Sequence, residues 1–134
     1  MTTEEQIQYW IRLSDYDLET ANAMLQTKRY LYVGFMCHQT IEKIFKACYT
    51  KLKEATPPYT HKLMYLKKIG EFENIFSPEQ TLFIQTLEPL NIEARYPEYK
   101  MKIAASLTSA KCIELLSKTK TLQQWTKKTI LLVK

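Results

Sequence analysis

Glycine is almost absent from this chain. Only Gly34 and Gly70 occur among 134 residues, and glycine is the residue that tight strand-reversing turns rely on for positive φ. A chain so poor in it is a weak candidate for a strand-rich fold. Leu, Lys, Glu, Ala, Gln and Met are plentiful instead, and all favour helix. The expectation is an all-α protein. The length suits a single domain over residues 1–134, long enough to bury a core without staples.

The apolar periodicity agrees. Thr2-Thr3-Glu4-Glu5 reads as a capping box, after which Ile7, Trp10, Ile11, Ser14, Leu18, Ala21 and Leu25 recur at helical spacing. This first helix ends near Thr27-Lys28. A second runs from about Tyr30 to Lys53, apolar over so much of its girth that it belongs at the centre. Gly34 inside it costs about 1 kcal/mol against Ala, which close helix packing can offset. Thr56-Pro57-Pro58-Tyr59 is a stop. Thr60 is a good N-cap for a short third helix carrying Leu63, Leu66 and Ile69, with Gly70 at its C-terminal end.

Ser77-Pro78-Glu79-Gln80 is the strongest start signal, joining an N-cap Ser, a first-turn Pro and a capping-box Gln. The fourth helix carries Leu82, Phe83, Leu87, Leu90 and Ala94; Pro89 kinks or splits it and Pro97 ends it. A fifth uses Ile103, Leu107, Ala110, Ile113 and Leu116, and Leu122, Trp125 and Ile130 prolong it, since nothing from Ser117 to Thr121 breaks a helix. The pattern predicts a five-helix up-and-down bundle with mostly short connections.

The net charge is +5 and uneven: no acidic residue follows Glu114, while Lys118, Lys120, Lys127, Lys128 and Lys134 do. A basic end attracts phosphate-bearing partners, or is simply a solvated face. Trp125 beside Lys127 and Lys128 has the ingredients for stacking single-stranded nucleic acid, but a Trp packed on the bundle is the simpler reading. Cys37, Cys48 and Cys112 are odd in number and lie on helical patterns, so buried thiols in a reducing compartment are expected. The polar start and the lack of a long apolar run point to a cytoplasmic protein with no membrane partner.

Arg95-Tyr96-Pro97-Glu98-Tyr99 gathers a permanent cation, two phenols and a carboxylate at a bend between helical patterns. Arg95 is the leading candidate for a phosphate contact, with Tyr96 and Tyr99 as stacking or hydroxyl groups. The competing reading is an ion pair with Glu93, Glu98 or Glu42 that fixes the helix break. On the second helix, Gln39 and Lys43 share a face, as do Glu42 and Lys46. Lys43 and Lys46 can hold phosphate as point charges, or Glu42–Lys46 is an ordinary helix pair. His61 starts the third helix or helps face an anion there. His38 and Glu42 have the spacing of two metal ligands, but no HExxH or CxxC accompanies them, so no metal or other cofactor is expected. No serine sits in a nucleophile elbow and no glycine-rich phosphate loop exists.

Taken together, these pieces resemble the HEPN family (higher eukaryotes and prokaryotes nucleotide-binding domain) over nearly the whole chain. The resemblance rests on Trp10 with Asp17-Leu18, Ala21 and Leu25; on Phe35 with Cys37-His38-Gln39-Thr40-Ile41-Glu42-Lys43 and Lys46-Ala47; on Pro58-Tyr59-Thr60-His61-Lys62-Leu63; and on Ala94-Arg95-Tyr96-Pro97. It implies a helical domain, a homodimer, and a site for a nucleotide or RNA. It also implies a possible nucleotidyltransferase partner, as in a toxin–antitoxin-like system. Some members are metal-independent ribonucleases, which share an Arg followed roughly four to six residues later by a His that takes part in acid–base cleavage. Here no His follows His61, a departure that weighs against nuclease chemistry. The resemblance therefore favours a noncatalytic nucleotide-binding or nucleotidyltransferase-partner protein. A ribonuclease with an altered acid–base residue, or a structural helical adaptor, are the alternatives.

Overall fold

Thr2 opens the first helix as its sequence suggests, its hydroxyl accepting from the Glu5 amide at 3.1 Å. The computed structural model describes residues 1–93 and 95–132. Their α-helices are α1 (Thr3–Gln26), α2 (Tyr30–Lys53), α3 (Leu63–Ile69), α4 (Pro78–Leu87), α5 (Pro97–Ser106) and α6 (Ser109–Thr126). Short 3-10 turns cover Glu73–Ile75 and Glu88–Leu90, and a π-helical turn covers Lys127–Leu131.

The helix α2 is the centre. Val33, Cys37, Ile41, Ile44, Phe45, Ala47 and Cys48 are all buried on it, and it packs against α1, α3, α4, α5 and α6. Burying one side chain such as Phe45 contributes about 1.5–3 kcal/mol. Phe45 meets the rings of Phe72 and Phe76 at 5.5 Å each, and Phe76 meets Trp125 at 5.3 Å. Trp125 is thus packed against the bundle. The helices α1 and α2 run antiparallel: Gln6 near the start of one meets Thr56 just past the end of the other. Midway, the Ser14 hydroxyl donates to the Thr40 carbonyl at 2.7 Å and accepts from the Gln123 amide at 3.0 Å. That buried tie fixes α6 against the first two helices.

Among the described residues six α-helices replace the expected five. The sequence shows no breaker between Ile103 and Ile113, yet α5 stops at Ser106. Leu107 is extended and buried, and Thr108 caps α6 by accepting from the Lys111 amide at 3.2 Å. Burying Leu107 against Gly34 turns the chain there: a Cβ on Gly34 would lie 3.0 Å from the Leu107 tip. Pro89 splits the fourth helix into α4 and the Glu88–Leu90 turn. Pro97 is a second correction, because it opens α5 rather than ending α4. The expected helical positions of Ala94 and the basic Lys134 lie outside the described residues. The third helix starts later than expected, with Lys62 and not Thr60 at its N-cap.

Cys37, Cys48 and Cys112 are free and buried; burial pushes the Cys37 thiol up to about 12. Of the basic end, Lys127 is bound to Asp15 and Lys118 to Glu114. No helix among the described residues is long and apolar enough to cross a membrane.

Candidate functional site

A carboxylate is buried at the middle of α2. Glu42 is 1% exposed, which carries a heavy cost unless every oxygen is paired. The pairing is complete: Oε1 accepts from His61 Nδ1 at 2.8 Å and Oε2 accepts from Lys46 Nζ at 3.1 Å. Lys43 Nζ lies 3.7 Å from Oε2. Lys43 also reaches Asp17 at 3.6 Å and donates to Gln39 Oε1 at 2.7 Å. Burial alone would raise the Glu42 carboxyl, but Lys43, Lys46 and His61 together hold it below its usual value. Burial raises Asp17 despite Lys43 beside it.

This pairing sets the imidazole protons. An ionised carboxylate only accepts, so His61 Nδ1 carries the hydrogen in the bond to Glu42. Gln39 uses its carbonyl for Lys43, so its amide nitrogen faces His38 Nδ1 at 3.3 Å and donates to it. His38 is fully buried, and burial pushes it down to about 4. Its Nε2 has no hydrogen-bond partner and lies 3.9 Å from Glu88 Oε1. Glu88 in turn accepts from the Leu63 amide at 2.7 Å. One first-turn amide of α3, that of Leu63, is therefore served by the protein's own carboxylate.

Above this network lies an open cleft of about 620 Å³, lined among others by Tyr59, His61, Lys62, Asn91, Arg95 and Tyr99. Two turns bring the walls together: the Pro57-Pro58 segment that carries Tyr59 and His61, and the stretch after the Glu88–Leu90 turn that carries Arg95. Arg95 is exposed. Its Nε donates to the Asn91 carbonyl at 3.2 Å, and its guanidinium lies 4.8 Å from the Tyr99 ring centre. The Tyr99 hydroxyl donates to the Pro89 carbonyl at 2.8 Å. Tyr99 thus ties α5 to the preceding turn and holds the cation on its face. Among the described residues Arg95 forms no ion pair with Glu93, Glu98 or Glu42, so the competing reading of that residue fails. Tyr59 is 91% exposed and meets the His61 ring edge-on at 5.4 Å.

The HEPN domain model matches residues 7–129. The chain belongs to the HEPN family. Neither a curated protein nor a solved structure gives a significant match. In this HEPN domain the predicted site residues divide into two groups. Arg95, Tyr99 and His61 share the cleft. Tyr96 is 82% exposed but does not line it. Gln39, Lys43 and Lys46 lie beneath: the two lysines are spent on Glu42 and Asp17 and Gln39 on Lys43 and His38; Lys46 is only 5% exposed, with Nζ 5.3 Å from the Trp10 ring centre.

Sequence reasoning missed the cleft roles of Tyr59, Glu88 and Asn91. Tyr59-Thr60-His61 directly after a double proline was the available signal, because such a turn is stiff enough to present side chains. Among the described residues no three His, Cys, Asp or Glu side chains are grouped to hold a metal ion.

Proposed function

We propose that the cleft beside Arg95 binds a phosphate-bearing nucleotide, and that this HEPN protein acts through binding rather than catalysis. The observation that carries the reading is an exposed guanidinium held by Tyr99 and the Asn91 carbonyl, with no carboxylate paired to it among the described residues. A cation fixed in advance loses little entropy on taking an anion, and a planar fork suits phosphate. Tyr59 offers an exposed ring on which a base can stack.

The further reading is of a homodimer, located in the cytoplasm, that partners a minimal nucleotidyltransferase in a toxin–antitoxin-like system. Support for the dimer comes from α5, which buries no residue within the protomer and exposes Met101 at 71%. A ten-residue helix is marginal in water, and α5 packs on the core through the partly buried Ile103. Beside it runs an apolar groove of about 550 Å³ among Leu82, Phe83, Leu90, Ile103 and Leu115.

One observation favours a second reading. His61 is an imidazole oriented by a buried carboxylate and open to the cleft, the arrangement of a general base. RNA cleavage by the purified protein in excess chelator, lost in Arg95→Ala and His61→Ala, would replace the binding reading with an enzymatic one. The test of the main reading is equilibrium dialysis with the four ribonucleoside 5′-monophosphates. Binding that falls at least tenfold in Arg95→Ala supports it, and equal binding by that variant removes Arg95 from the site.

A further inference from the structure

We infer that Glu88 reads the base of the bound nucleotide, so that the cleft selects guanine among the four RNA bases. The inference rests on the proposed nucleotide site and adds a base specificity to it.

Among the described residues that line the cleft, Glu88 is the only acidic one. One turn holds it in register with Arg95. The Asn91 amide donates to the Glu88 carbonyl at 3.4 Å, and the Asn91 carbonyl accepts from Arg95 Nε at 3.2 Å. Yet the carboxylate and the guanidinium form no ion pair with each other among the described residues. Glu88 Oε1 accepts from the Leu63 amide at 2.7 Å, which anchors the group. Its Oε2 has no hydrogen-bond partner among the described residues, and the side chain is 30% exposed. Behind it, His38 Nε2 lies 3.9 Å from Oε1. Burial pushes that imidazole down to about 4, so it does not neutralise the carboxylate at neutral pH. Lys62 in the cleft wall and Lys67, buried over the Phe76 ring, form no ion pair with it either.

An anchored carboxylate with a free oxygen only accepts, and Oε1 keeps a second lone pair beside the Leu63 amide. It repels phosphate, which goes to Arg95, and it takes a donor-bearing edge. Guanine alone among the four bases puts two donors side by side on its pairing edge, N1–H and the 2-amino group. They match the two oxygens of a carboxylate. Adenine and cytosine set one amino group next to a bare ring nitrogen, and uracil sets one N–H between two carbonyls. Each of these turns a lone pair towards Glu88. Bonds to a charged acceptor are the stronger kind, and a site built for two donors rejects ligands that leave it unpaired. Tyr59, in the same cleft, offers its exposed ring to the face of the base. The ligand is thus held with phosphate on Arg95, base face on Tyr59 and base edge on Glu88.

The experiment measures dissociation constants for the 5′-monophosphates of guanosine, inosine and adenosine, using wild type, Glu88→Gln and Arg95→Ala. Gln keeps a carbonyl oxygen for the Leu63 amide and removes the charge and the second acceptor. Wild type should bind the guanine nucleotide about tenfold more tightly than the adenine one, the scale of one hydrogen bond to a charged group. The inosine nucleotide lacks only the 2-amino donor and should fall between them, a comparison that does not depend on any variant folding. Glu88→Gln should lose the preference for guanine and bind the adenine nucleotide as wild type does. Equal wild-type affinity for the guanine and adenine nucleotides overturns the inference, as does equal affinity for the guanine and inosine nucleotides. A guanine preference that survives Glu88→Gln also overturns it. If all three bind equally and all are weakened in Arg95→Ala, the nucleotide site stands and only the base reader falls. If no nucleotide binds at all, both fall.

Discussion

His61 Nδ1 lies 2.8 Å from Glu42 Oε1, joining residues 19 positions apart in sequence. The contact links the floor of the bundle to the wall of the cleft. It lets a buried carboxylate fix the orientation of a half-buried imidazole.

Removing that carboxylate's charge should therefore be costly. Glu42→Gln leaves the buried Lys46 without its anion and Lys43 with Asp17 alone, and breaking a buried pair in this way costs about 3–5 kcal/mol. Urea unfolding should show a loss of that size in unfolding free energy, read as a lowered midpoint at unchanged slope. Glu114→Gln, which breaks an exposed pair with Lys118, should leave the midpoint unmoved. Similar small effects at both positions would mean that the Glu42 network contributes little to the fold.

Acid should weaken the protein through His38. Burial holds its folded-state value near 4, against an ordinary 6.5. As pH falls through 6.5 the unfolded chain takes a proton that the folded chain refuses until about 4, so stability falls with pH across that window. The full loss is about 3 kcal/mol. Glu42, with its carboxyl held below the usual value, adds to the loss as pH falls through its folded value. Asp17 runs in the opposite sense because burial raises it. Urea midpoints measured between pH 7 and pH 4 should fall steadily in wild type and flatten in His38→Gln. A flat wild-type profile contradicts the neutral buried imidazole.

Tyr99 is expected to act on ligand affinity through Arg95. Tyr99→Phe keeps the ring under the guanidinium but loses the bond to the Pro89 carbonyl, so affinity for a nucleoside monophosphate should fall by only about twofold to threefold. Tyr99→Ala also frees the cation, and a loss of about tenfold is expected, on the scale of a modest cation–π contact. Calorimetric titration of the two variants distinguishes these outcomes. Equal affinity in both would show that the stack does not position Arg95.

The two glycines should respond differently to Ala. A Cβ on Gly70 would lie 2.4 Å from the Phe72 ring, and that ring is packed into Phe45 and Phe76. Gly70→Ala should cost about 1–3 kcal/mol. Its φ of −78° is ordinary, so space rather than backbone freedom requires glycine there. A Cβ on Gly34 meets the flexible tip of Leu107 at 3.0 Å and the Leu90 methyls at ordinary contact distance. The helix propensity gained there offsets the crowding, and Gly34→Ala should stay within about 1 kcal/mol of wild type. Thermal or urea unfolding ranks the two variants directly.

Signals that act within a few residues were legible in the sequence. The apolar girth of α2 gave its bounds as Tyr30–Lys53, and Ser77 with Gln80 forms the expected capping box. The break at Leu107 was not legible, because it comes from burying that residue against Gly34 across the bundle. The same holds in the site. Arg95, Tyr99 and His61 could be picked out by type, and the i,i+4 spacing offered Glu42–Lys46 as a helix pair, but nothing local shows that this pair is buried or that Lys43 is held between Glu42 and Asp17. That outcome depends on α1 and the His61 turn closing over α2 and leaving Glu42 1% exposed.

The most direct test of the phosphate cleft is amide and side-chain NMR of the isotope-labelled protein titrated with the pooled ribonucleoside 5′-monophosphates. Shift changes should cluster on the Arg95 Nε–H, the His61 ring, Tyr59 and Asn91, and should vanish in Arg95→Ala. Changes confined instead to the lysine-rich end of α6, or none at saturating nucleotide, would contradict the account.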